Sequence, residues 1–237
     1  MPKSVRIQAL QAVLLTILFF LHSSNPIAYV DPSGNIVIIN GDDAYRIEIM
    51  KQLRELTSLN LSMDKNGKVT ITKPTEDSKT PKGDALLAGL IVSGHTVTIK
   101  YAKNTYAAKE ISKDDARNPY VGTGSTVFYD PYTAGSIELL TENKSGNPSM
   151  QTAPAYIVLG HELIHAYYMI KGQSDRLPEE YTYTDSNGRT IYTYAEAEEL
   201  LTVGLTSFTN PVYTGRARDY TENALREEHG LPKRVAY

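Results

Sequence analysis

The chain has 237 residues, with 24 Lys and Arg against 27 Asp and Glu, and it contains no cysteine. That length suits one domain, or one domain with a small appendage, and the formal net charge of -3 leaves no basic excess for gripping phosphates, so nucleic acid is excluded as a main partner. Without cysteine there is no disulfide, thiolate metal site or cysteine nucleophile, and any metal must be held by Asp, Glu or one of five histidines: His22, His95, His161, His165 and His229.

Lys3 and Arg6 precede an apolar run over residues 9–21, too short to span a bilayer comfortably as a helix. Residues 1–24 therefore read as an apolar leader or signal-like segment. Residues 25–35, Asn-Pro-Ile-Ala-Tyr-Val-Asp-Pro-Ser-Gly-Asn, read as a short strand and an Asp-Pro-Ser-Gly turn. As a string they resemble the junction that closes the repeat shell of Rhs/YD-repeat polymorphic toxins, after which a variable toxin domain follows.

Residues 35–40 read as a strand. Asp42 or Asp43 can cap a helix running to about Thr57, with Ile47, Met50, Leu53 and Leu56 along one face. Lys65-Asn66-Gly67 between two alternating runs predicts a hairpin. A polar linker over 73–83, a short apolar helix from Asp84 to Val92 and a strand from Thr96 to Tyr101 follow. Residues 102–124 read as loop, with His95 at the surface, and Ser125 to Tyr129 as a strand. Residues 36–118 thus form an N-terminal α+β part, and 119–237 the portion that carries chemistry.

That chemistry centres on residues 153–172. Thr152 can cap a helix, Pro154 suits its first turn and Gly172 its end. Inside it lies His161-Glu162-Leu163-Ile164-His165. Residues four apart share a helix face, so the two imidazoles can reach one ion at about 2.0–2.1 Å per bond. Glu162, one residue on, is free to take a proton from a metal-bound water instead of binding the metal. Zinc lowers the pKa of such a water toward about 7, which is the chemistry of metal-assisted peptide hydrolysis.

A third ligand is needed. Lys171 occupies the metzincin position, which excludes that class, and Glu179 and Glu180 lie in a stretch that looks extended. A helical stretch from Tyr194 to Gly204 fits better. Glu196 and Glu199 share one face with Glu198 beside them, so one carboxylate can bind the ion and another can orient a ligand. Arg234 and Tyr237, three apart, can present a guanidinium and a phenol together to an oxyanion. Glu222, Asn223, Arg226 and Glu227 read as capping and packing groups, and His229 as a helix C-terminal residue.

Glu198 to Gly204 resembles the EELxTxG segment of clostridial neurotoxin light chains, which also carry HELIH. The closer resemblance is to the NleD/HopH-like family of secreted bacterial effector metalloproteases: HELxHA at His161 to Ala166, EELxxVGL at Glu198 to Leu205, and ENxxRxEHGLPxRxxY at Glu222 to Tyr237. The resemblance implies Zn2+ on His161, His165 and Glu199, with Glu162 as base and Arg234 with Tyr237 on the oxyanion. It implies a zincin-like α+β fold: an HExxH helix, a small mixed sheet whose edge strand, Ser125 to Tyr129, precedes it, and a second helix carrying the third ligand. It also implies a bacterial protein delivered into a target cell, acting there on a protein substrate. A cognate immunity protein and a monomeric state complete the expectation. Two other readings compete: a non-catalytic binding module with a fortuitous motif, and a zinc amidase acting on peptidoglycan peptides.

Overall fold

In the computed structural model the described residues are 36–73, 77–174, 176–205 and 218–237. The leader and the junction, residues 1–24 and 25–35, lie outside them. No described helix is long and apolar enough to cross a membrane.

The first part alternates strands and helices: β1 (Val37–Asn40), α1 (Asp43–Leu56), β2 (Asn60–Met63), β3 (Lys68–Lys73), α2 (Pro81–Ile91), β4 (Val97–Tyr101), β5 (Tyr106–Glu110) and β6 (Ser125–Tyr129). Six strands form one mixed sheet in the order β2-β3-β1-β4-β6-β5. The pairs β1–β4 and β4–β6 are parallel, and the others are antiparallel. Parallel neighbours need a crossover, and α1 and α2 lie in the connection from β1 to β4. Asp42 caps α1 by accepting the Tyr45 N–H at 2.9 Å, and Gly67 takes the positive φ, 82°, that the β2–β3 turn requires.

The second part contains hairpin β7 (Glu138–Glu142) and β8 (Pro148–Thr152), then α3 (Ala155–Ile170). Hairpin β9 (Pro178–Thr184) and β10 (Thr190–Glu196) leads into α4 (Ala197–Val203), and α5 (Glu222–Glu228) precedes the tail. Helix α3 is buried on nearly every side, as an all-round apolar helix must be. It packs on β5 and β6 and against α1, α2, α4 and α5. At Gly160 a Cβ would come within 2.8 Å of Leu225 and 3.1 Å of Leu56, so the glycine lets α1 and α5 approach α3 closely. Tyr129, fully buried at the end of β6, donates to the Ala155 carbonyl at 2.6 Å and fixes the start of α3.

Several expectations are corrected. Residues 106–110, read as loop, are the edge strand β5, whereas Ser125 to Tyr129 is interior, paired with β4 on one side and β5 on the other. The signal in Tyr-Ala-Ala-Lys-Glu is weak because an edge strand buries only part of one face. Ile47 is 67% exposed, and α1 faces the core with Tyr45, Ile49, Leu53 and Leu56. Helix α2 starts at Pro81, inside the expected linker, where Pro is tolerated in a first turn. Thr152 ends β8 and does not cap α3. Tyr194 to Glu196 belong to β10, so the helix with the acidic pair begins only at Ala197.

Candidate metal centre

Helix α3 places His161 and His165 one turn apart, with side chains 8% and 5% exposed. Helix α4 lies across them and brings Glu199 over the same face. Glu199 Oε2 is 3.1 Å from His161 Nε2 and 2.9 Å from His165 Nε2, and the two Nε2 atoms are 3.1 Å apart. Among the described residues this is the one group of His, Asp and Glu side chains close enough to hold a metal ion.

The outer imidazole nitrogens explain how that triangle is wired. His161 Nδ1–H donates to Glu222 Oε2 at 2.9 Å, and His165 Nδ1–H donates to Glu198 Oε1 at 3.1 Å. Burial disfavours a charged ring, but Glu199 with Glu222 raises the His161 imidazole and Glu199 with Glu198 raises His165, so in the metal-free chain a proton can sit at Nε2. Once it leaves, the rings keep Nδ1–H and present lone pairs at Nε2. Two nitrogen lone pairs and a carboxylate oxygen then face one point, and three acceptors cannot satisfy one another. A small divalent cation satisfies all three. Ligand bonds of about 2.0–2.1 Å in a tetrahedron put ligand atoms about 3.3 Å apart, close to the separations present here.

Each outer carboxylate is itself held. Glu198 is fully buried and takes both guanidinium nitrogens of Arg218, at 2.9 and 2.7 Å. Glu222 is buried and accepts from Arg226 Nε at 2.7 Å and Arg234 Nη1 at 2.9 Å. Burial alone would raise the Glu198 carboxyl, but its bond with His165 and the Arg218 charge outweigh that and hold it at about 2. The same opposition holds Glu222 well below the usual carboxylate range, through His161, Arg234 and Arg226.

Glu162 sits next to the pair, 6% exposed, with burial raising its carboxyl. It accepts the outward Ala108 N–H of edge strand β5. Ala108 and its neighbours Tyr106 and Glu110 turn their main-chain groups away from β6, so the outer edge of the sheet runs beside Glu162. Arg176 occupies part of that edge, donating to the Ala108 carbonyl at 3.0 Å.

The tail closes the other side. Its main chain pairs with β7: Val235 N–H donates to Leu140 at 2.9 Å, and Glu142 N–H to Lys233 at 2.8 Å. Asn223 brackets Arg234, accepting its N–H at 2.7 Å and donating to its carbonyl at 2.9 Å. The Arg234 guanidinium lies 4.8 Å from the centre of the Tyr237 ring, and that ring stacks on His161 at 6.2 Å and 16°. The Tyr237 hydroxyl reaches Glu199.

The structure therefore gathers His161, Glu162, His165, Glu198, Glu199, Arg234 and Tyr237. Glu196 stands apart from them: it ends β10 and ion-pairs with Arg176 at 3.7 Å, because the strand continues further than the helical reading allowed. Two residues that hold the candidate site together escaped the sequence reading. Glu222 passed for a cap because it opens a helix, yet Thr221 is the cap and Glu222 faces inward to His161. Arg218 carried no local signal, since its partners are 16 residues and more away in the chain.

An α+β fold with two imidazoles and a carboxylate converging on a buried helix defines a candidate metal-dependent hydrolase. The family model of peptidase M91, described as an effector protein, matches residues 75–237, and the chain belongs to that peptidase family of effector proteins. A search of the curated proteins returned no match. Among solved structures the chain is similar to the zinc-removed form of the botulinum neurotoxin type C light chain, at 14% identity and a TM-score of 0.34, covering 71% of this chain and 36% of that one. It is similar to the type D light chain at 17% identity and a TM-score of 0.31, covering 72% and 35%. A serotype C1 light chain protease gives 14% and 0.31, covering 72% and 38%. The chain thus spans little more than a third of the length of these light chains.

Proposed function

We propose that this effector peptidase is a zinc-dependent endopeptidase, delivered into a target cell, where it cleaves a protein. The observation that carries the reading is the convergence of His161 Nε2, His165 Nε2 and Glu199 Oε2, with both Nδ1 protons committed to carboxylates. The nitrogen and oxygen donors are those that zinc takes.

Zinc bound there supplies a Lewis acid that acidifies water and polarises a peptide carbonyl. His161, His165 and Glu199 would hold it. Glu162 takes the proton of the attacking water at its carboxylate and returns it to the leaving amine. Burial supports that role, because it raises the carboxyl toward the working pH. The Tyr237 hydroxyl, beside Glu199, donates to the developing oxyanion. Arg234 adds positive charge at the same side while bracing the Tyr237 ring and Glu222. Apart from Ala108, whose N–H and carbonyl are taken by Glu162 and Arg176, edge strand β5 offers main-chain partners to an extended substrate.

The test uses purified full-length protein and a protein-cleavage screen against target-cell lysate with a chelator control. Wild type should hold about one equivalent of zinc, and chelation should stop cleavage. Glu162→Gln should keep the zinc and lose cleavage by a factor of about 10² to 10⁴. Zinc-free wild type, or an unimpaired Glu162→Gln, overturns the reading in favour of a binding module. Cleavage of peptidoglycan peptides but of no protein would make the chain an amidase instead.

A further inference from the structure

Arg218 makes no contact with the three converging atoms, yet it is the most heavily engaged cation around them. Its side chain is 6% exposed. Nη1 donates to Glu198 Oε1 at 2.9 Å and to Thr202 Oγ1 at 2.9 Å. Nη2 donates to Glu198 Oε2 at 2.7 Å and to the Gln173 carbonyl at 3.3 Å. The guanidinium lies 3.9 Å from the centre of the Tyr168 ring. Tyr168 follows His165 by three residues on α3, and Glu198 precedes Glu199 on α4. One planar group therefore ties together the two helices that supply the metal ligands.

From this we infer that Arg218 is a positioning residue for the metal centre, holding Glu198 so that His165 keeps its proton on Nδ1 and turns Nε2 toward the ion. The inference rests on the reading of the site given above. A two-pronged bond to both oxygens fixes the carboxylate plane, which a single contact cannot do. Oε1 is then aimed at His165 Nδ1, and the Nδ1–H tautomer has a permanent acceptor. Without the fork, Glu198 can rotate about its last bond, and a fully buried carboxylate loses the charge that compensates it. The His165 Nδ1 proton then keeps only the longer contact with Thr202 Oγ1, 3.3 Å away and itself released by Arg218, and the ring is held less firmly with its Nε2 lone pair outward. A lysine keeps the charge but not the fork, the Thr202 bond or the stack on Tyr168.

Two measurements on full-length protein test this. In metal-free protein, NMR should find the His165 Nδ1 proton protected from solvent exchange in wild type and exchanging faster in Arg218→Gln, where Thr202 alone remains beside it. Zinc affinity, measured by competition with a chromophoric chelator, should fall about 10–100-fold in Arg218→Gln and only partly recover in Arg218→Lys. Arg189→Gln, which removes an exposed ion pair with Asp185, should change neither. A double-mutant cycle then separates positioning from bulk stability: in a Glu198→Gln background, Arg218→Gln should cost little further affinity. Should Arg218→Gln not fold, Arg218→Lys is used in the same cycle. Additive losses, or an Nδ1 proton as well protected in the variant as in wild type, overturn the inference. Absence of zinc from wild type would instead defeat the proposed function, while the NMR measurement still decides the role of Arg218.

Discussion

His161 donates its Nδ1 proton to Glu222 Oε2 across 2.9 Å, and both groups are buried. The acceptor comes from α5, 61 residues further along the chain. This bond sets the orientation of the imidazole that carries one corner of the candidate centre.

Glu222→Gln should therefore weaken zinc binding about 10–100-fold, since ligand-orienting carboxylates contribute on that scale. It should also destabilise the metal-free protein by about 3–5 kcal/mol, because Arg226 and Arg234 lose their buried counter-charge. Chelator competition and urea unfolding measure the two effects. An unchanged zinc affinity would mean that packing alone orients His161.

The roles assigned to the tail separate kinetically. Tyr237→Phe keeps the ring stack on His161 and removes one donor, so kcat should fall about 10² to 10³ with zinc content unchanged. Arg234→Met should lower kcat and zinc affinity together, because that guanidinium also holds Glu222. Equal behaviour of the two variants in metal content would contradict this division.

Gly122 lies at φ 67°, where a Cβ would stand 1.8 Å from the Ile170 carbonyl oxygen at the end of α3. Gly122→Ala should cost at least about 1–3 kcal/mol from the backbone conformation alone. Gly160→Ala meets only the ends of leucine side chains, which can shift, so its loss should be smaller. The order of the two melting temperatures checks the comparison.

Stability of the metal-free protein should fall in acid. The Glu198 carboxyl is held at about 2 in the folded chain against an ordinary 4.5. A depressed group contributes stability that is complete above about 4.5 and is lost as pH falls toward about 2. Glu222 and Glu199 shift the same way and add to the same loss. Urea unfolding from pH 6 to pH 3 should show a shallower decline for Glu198→Gln than for wild type. Parallel declines would remove Glu198 from the account.

How much was legible beforehand depended on the range of the interaction. The spacing of His161, Glu162 and His165 is a local property: four residues make about one turn of helix, so the shared face follows from the chain alone. The Asn66-Gly67 hairpin and the Asp42 cap are local in the same sense. Strand β5 escaped because pairing with β6, and not its own weak pattern, makes it a strand. The limit of α4 escaped because Tyr194 to Glu196 obey the cross-strand ladder of β10 ahead of their helix preference. The spatial order of the sheet also had to be found in three dimensions.

The sequence by itself determined the composition of the centre: two histidines on one helix face, an acid beside them and an acidic pair on a later helix. Only the tertiary structure decided which carboxylate faces which imidazole. It turned Glu199 to the Nε2 side, Glu198 and Glu222 to the Nδ1 protons, and Glu196 away to Arg176. Neighbouring glutamates are chemically identical in a string of letters. They become different when burial makes each ionised oxygen find a partner, and those partners, Arg218, Arg226 and Arg234, are brought in by the packing of helices and tail.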